Sequence, residues 1–126
     1  MNRTFSIRIF FIYWLPVILC CTAIFIQSSY PVSEQLPAFP FADKLLHAVA
    51  YALLGFLFFR AFRMTTVHKR TFLLVILSAV ASSLYGVGDE IHQHFVPSRT
   101  ADILDMAADA IGGSLGAFVA WLVWKR

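Results

Sequence analysis

The chain has 126 residues, 60% of them hydrophobic and 13% charged, with a mean hydropathy of +0.75. That balance lies outside the range of soluble globular domains and points to an integral membrane protein. The net charge of +3 does not indicate nucleic acid, because the Lys and Arg residues fall in short clusters between apolar runs, where they set topology.

The first apolar run, Ile9 to Ile26, follows Arg3 and Arg8 and is long enough to cross a bilayer, which takes roughly 17 to 25 residues. A signal peptide is the competing reading, but its core is normally shorter, and Ser28 and Ser29 make a weak cleavage site. Pro16, near the middle of the run, predicts a kink or close packing against a neighbour. Cys20 and Cys21 have no metal-ligand spacing and no further cysteine to pair with, so they read as buried thiols. Residues 27 to 40 contain three prolines and read as a loop.

The second run extends from Asp43 through Phe62, with Arg60 and Arg63 at its far end, and a short basic connection to Arg70 follows, which includes His68. The third run, from Thr71 to about Val87, carries Ser78, Ser82 and Ser83, small polar residues suited to a packed helix interface. Residues 88 to 100 then read as a loop that holds Asp89, Glu90 and Gln93, with His92 and His94 beside them and Pro97 as a punctuator. The fourth run, Asp102 to Trp124, has Thr100 or Asp102 as its N-cap. Its Gly112 and Gly116 form a small-xxx-small pair that lets another helix approach closely.

The expected fold class is therefore all-α: one domain, 1–126, a bundle of four transmembrane helices with spans about 9–26, 43–62, 71–87 and 102–124. With four spans, Arg3, Arg8, Arg60, Arg63, Lys69, Arg70, Lys125 and Arg126 share one side, and Lys44 and Arg99 the other. Eight against two predicts that both termini are cytoplasmic and that residues 27–42 and 88–101 face outward. All seven acids, Glu34, Asp43, Asp89, Glu90, Asp102, Asp105 and Asp109, then lie in or near the outer half.

Charges wedged between apolar runs are costly unless they meet a wet surface or each other, so this outer cluster is the candidate site. Asp43, His47 and Tyr51 recur at intervals of four and share one helix face. Asp102, Asp105 and Asp109 recur at i, i+3 and i+7, again on one face, reaching about 10 Å inward. Three carboxylates on one membrane-helix stripe should face a cavity or partners, here His47, Tyr51, Lys44 and Arg99. The plainer alternative is that the polar loop residues solvate a turn and cap the fourth helix.

Three elements occur in order: Asp43-Lys44-x-x-His47-x-x-x-Tyr51; Asp89-Glu90-x-x-Gln93; and Pro97-Ser98-Arg99-x-x-Asp102-x-x-Asp105, followed by Gly112 and Gly116. This ordered set resembles the VanZ-like family of small membrane proteins over about residues 10 to 124. Two positions depart from the family pattern: Ser98 stands where Pro-Gly-Arg is usual, and Asp109 where Asn is frequent. The resemblance implies an association with low-level teicoplanin resistance and does not specify a biochemical activity.

Two functions follow as expectations. In the first, the protein binds or processes a lipid head group at the outer leaflet of a bacterial inner or plasma membrane, such as a phosphate-linked carrier or cell-wall precursor. His47, Asp43, Glu90, Asp89 and Asp105 are then the candidate catalytic residues, with His47 and Asp43 or Glu90 moving protons. Arg99, Lys44, Tyr51, Gln93, Asp102 and Asp109 are the candidate binding residues, Lys44 and Arg99 holding the anion. A divalent cation is a variant of this site, since Asp, Glu and His ligate such ions, although no fixed spacing marks one. In the second, the polar network is structural or binds a protein partner. The expected partner is a membrane lipid and not nucleic acid; oligomeric state and metal identity are not legible in the chain.

Overall fold

The computed structural model of the protein describes residues 6–30, 41–65, 69–97, 99 and 101–125. Four helices account for nearly all of them: α1 Ile7–Ser28, α2 Ala42–Phe62, α3 Thr71–His94 and α4 Ile103–Trp124, each long and apolar enough to cross a membrane. Among the described residues there is no strand. The fold is the all-α membrane bundle that the four apolar runs predict. Large side chains such as Phe72, Leu84, Ile103 and Ile111 stay exposed around the outside, the surface that hydrocarbon would cover.

Helix α1 shows what Pro16 does. Proline has no N–H for the carbonyl four residues back, which here is that of Ile12, and the turns just before it, Phe10–Trp14, widen into a π-helical segment. Arg60, from the far end of α2, donates its Nη1 to that Ile12 carbonyl at 2.9 Å and lies 4.7 Å from the Tyr13 ring centre. An unsatisfied carbonyl inside a membrane helix is thus satisfied by a side chain from a neighbour.

Helix α3 differs from expectation. It does not end near Val87 but runs on to His94, so Asp89, Glu90 and Gln93 stand on a helix and not in a loop. Gly88 weakens a helix without breaking it, and the first residue that would stop one, Pro97, comes later. At the start of α4, Asp102 is the N-cap, accepting from the Leu104 N–H at 2.9 Å. Thr100, the alternative cap, lies outside the described residues, as do Ser98, His68 and residues 31–40 of the expected loop.

Helices α2 and α4 form the central seam. A Cβ at Gly112 would collide with the backbone of Ala48, and one at Gly116 with the backbone of Ala52, so the two helices touch backbone to backbone. The residue pairing, 48 with 112 and 52 with 116, keeps a constant offset, which means that α2 and α4 run parallel. Helix α3 returns antiparallel against both. Its Ser82 lies against Gly113, and Ser78 and Ser83 bond to carbonyls of their own helix, those of Leu74 at 2.6 Å and Ala79 at 2.7 Å. Away from the acidic end, Phe59, Leu74 and Ala120 form an apolar core beside Trp124. Arg63 lies 5.1 Å from the Trp124 ring centre there.

Candidate functional site

Because α2 and α4 are parallel and in close contact, the polar stripes that begin at their N-terminal ends descend side by side. Lys44 donates to Asp43 at 2.8 Å on its own helix, and reaches Asp102 at 2.8 Å and Asp105 at 2.7 Å on α4. One turn deeper, His47 Nδ1 pairs with Asp109 Oδ1 at 2.8 Å, and its Nε2 stands 3.8 Å from Asp105. Exposure along the α4 stripe falls from 40% at Asp102 to 9% at Asp105 and 1% at Asp109. On α2 the same descent ends at the buried Tyr51, whose ring stacks at 6.4 Å on that of His47.

Helix α3 supplies the third wall. Glu90 is wholly buried and accepts from the Asp102 N–H at 3.1 Å, and so ties α3 to the start of α4. Gln93 donates to Asp89 on its own helix and to Ser28 of α1, both at 3.3 Å. Around Asp102 charge and local structure reinforce each other. The Lys44 ammonium, followed by the Leu104 N–H, holds its carboxyl below the usual carboxylate range.

A cavity of about 430 Å³ opens between α1 and α2 over this network. Its polar lining includes Asp43, Lys44, His47, Tyr51, Asp89, Gln93, Arg99, Asp102 and Asp105, nine of the eleven candidate residues. Glu90 and Asp109, the other two, sit behind that lining, Asp109 joined to it through His47. Apolar residues of α1 and α2, among them Ala23, Ile24, Leu46 and Leu53, form the remaining wall.

The two expected anion-holding cations are engaged elsewhere. Lys44, expected both to answer the carboxylates and to hold an anion, is ion-paired with Asp43, Asp102 and Asp105. Arg99 donates its Nε to the Tyr30 carbonyl at 2.8 Å and its Nη2 to that of Gln27 at 3.0 Å, so it fastens the end of α1 over the cavity. The chain alone did not point to the other anchors of α1. His92 stacks on Phe25 at 4.5 Å and lies 3.1 Å from Ser29 Oγ, while the Tyr85 hydroxyl donates to the Cys21 carbonyl. The i, i+7 spacing of Tyr85 and His92 on one α3 face is the signal that could have found them. His94 stays exposed, and Cys20 and Cys21 are free, half-buried thiols.

A family model described as VanZ/LLP1 matches residues 10–124, nearly the whole chain. An uncharacterized protein of Schizosaccharomyces pombe is 33% identical over 87 residues, covering 69% of this chain and 51% of the relative. The chain thus spans about half the length of the curated relative that it matches. No solved structure matches.

Proposed function

The chain belongs to the VanZ/LLP1 family, and from that premise we propose that its polar pocket receives a lipid head group while the lipid chain lies along the apolar wall. One observation carries this reading: the cavity is amphipathic in the direction a membrane lipid would require. Along α2 it extends from Asp43 and Lys44 at the helix start to Leu53, about 15 Å deeper. Leu46 and Leu53 line it and are about half exposed, an apolar wall against which a lipid chain would lie. An apolar cleft with a few convergent polar groups is the usual form of a small-molecule site.

Charge narrows the head group. Asp43, Asp89, Glu90, Asp102, Asp105 and Asp109 surround the pocket, against Lys44 and Arg99. Hydroxyl or ammonium groups suit those carboxylates directly, whereas a phosphate-linked carrier or cell-wall precursor needs a cation to offset them. His47 has the carboxylate of Asp109 as its hydrogen-bond partner, which suits a role in binding. The bias of Lys and Arg supports a pocket on the extracytoplasmic side.

The engagement of Lys44 with three carboxylates and of Arg99 with two backbone carbonyls favours a second reading, in which the network only fastens the bundle together. Native mass spectrometry of protein extracted in mild detergent separates the two. The expected result is a retained lipid that is lost in Ala23→Trp, which fills the apolar wall, and reduced in His47→Ala. Retention unchanged in both variants, or no lipid on the wild type, would overturn the proposal in favour of the structural reading.

A further inference from the structure

Behind the cavity, three side chains from three helices meet: His47 of α2, Glu90 of α3 and Asp109 of α4. One ligand atom from each lies within 4.8 Å of the other two. Donors about 2.1 Å from a shared ion stand roughly 3.4 Å apart in tetrahedral geometry, so the trio needs to close by on the order of 1 Å.

A second observation concerns idle atoms. Glu90 and Asp109 are wholly buried, yet Glu90 Oε1 and Asp109 Oδ2 have no hydrogen-bond partner. Their other oxygens are committed to the Asp102 N–H and to His47. Among the described residues no Lys or Arg ion pair with either carboxylate is seen, and His47 alone reaches Asp109. Lys44 is ion-paired with Asp43, Asp102 and Asp105, and Arg99 is bonded to two backbone carbonyls. Buried carboxylates are ordinarily paired with a cation or coordinated to a metal.

We infer that His47, Glu90 and Asp109 form a binding site for a divalent transition-metal ion, assembled only when α2, α3 and α4 pack together. One imidazole with two carboxylates and no thiolate suits Zn²⁺ or Mn²⁺ better than Mg²⁺ or Ca²⁺, which prefer oxygen donors alone. The Asp102 N–H, which orients Glu90, supplies the outer support that such ligands normally have. An ion here would offset two of the six acids around the pocket. The site needs no lipid and stands apart from the lipid reading.

Cobalt(II) is a spectroscopic substitute for both ions. Titrated into purified, tag-free protein in detergent, it should give visible absorption that saturates near one equivalent and is displaced by Zn²⁺. Glu90→Gln and Asp109→Asn keep side-chain shape and should each weaken uptake at least tenfold, whereas His94→Ala, which removes an exposed imidazole, should leave it unchanged. Should an acidic variant fail to elute as folded protein, His47→Gln takes its place with the same expected loss. The inference is overturned if wild type shows no saturable uptake, if the acidic variants bind as wild type does, or if His94→Ala loses as much as they do.

Discussion

Lys44 Nζ lies 2.7 Å from Asp105 Oδ1 across the α2–α4 seam, in a place where Asp105 is only 9% exposed. The pair spans two helices whose backbones already touch through Gly112 and Gly116, so its geometry is held by packing and not by side-chain search. Removing one member strands a largely buried charge. Lys44→Met is therefore expected to destabilise the bundle by about 3 kcal/mol. Asp43→Asn, at the half-exposed rim, should cost less than about 1 kcal/mol. Urea unfolding in detergent, followed by helicity, measures both; equal effects would contradict the burial argument.

The glycine seam makes a sharper prediction. Gly116→Leu inserts a side chain where the Ala52 backbone already sits and should cost about 3 kcal/mol or more, or prevent folding. Gly88, by contrast, has open space where its Cβ would be. Gly88→Ala should stabilise α3 by roughly 0.5–1 kcal/mol through helix propensity alone. Thermal midpoints of the two variants against wild type are expected to move in opposite directions.

Arg99 should act through the end of α1. Its two bonds to the Tyr30 and Gln27 carbonyls come from different nitrogens of one planar group, which a lysine cannot reproduce. Both Arg99→Ala and Arg99→Lys are expected to speed amide hydrogen exchange over residues 25–30, the lysine variant nearly as much as the alanine. Exchange that stays at the wild-type rate in Arg99→Lys would show that charge alone suffices.

Asp102 has its carboxyl held low, chiefly by Lys44, so the ionised form is favoured in the folded state. Its contribution to stability is complete above the ordinary carboxylate value of about 3.9 and is lost as pH falls through the depressed folded value. Asp102→Asn should therefore flatten the acid end of the stability profile while lowering stability near neutrality. A profile that keeps the same acid limb would place that proton uptake on other groups.

Sidedness rests on the distribution of Lys and Arg. With Cys20 and Cys21 replaced by serine, an impermeant thiol reagent on intact cells should label Gln35→Cys and spare Val67→Cys. The reverse pattern would invert the orientation and put the pocket on the cytoplasmic face.

Read without coordinates, the chain determined the number and type of its elements. Four apolar runs admit only helices in a bilayer, because each must satisfy its own backbone. It also determined that Asp43, His47 and Tyr51 share a face and that Asp102, Asp105 and Asp109 share another, since helical periodicity is local. Where α3 stops was less legible: the polar run after Val87 looks like a loop, and helix continuation depended on packing against α1 and α4.

Tertiary structure alone decided what the charges do. Whether Lys44 faces a ligand or three carboxylates depends on the register of α2 against α4, which the contacts of Gly112 with Ala48 and Gly116 with Ala52 set to within one turn. A glycine pair signals that some helix comes close, but not which helix, or in which direction it runs. The same holds for Glu90 and Asp109, nineteen residues apart on separate helices and joined with His47 only once three helices pack. Side-chain chemistry is written along the chain, whereas distances between helices are set by interactions with no local signature.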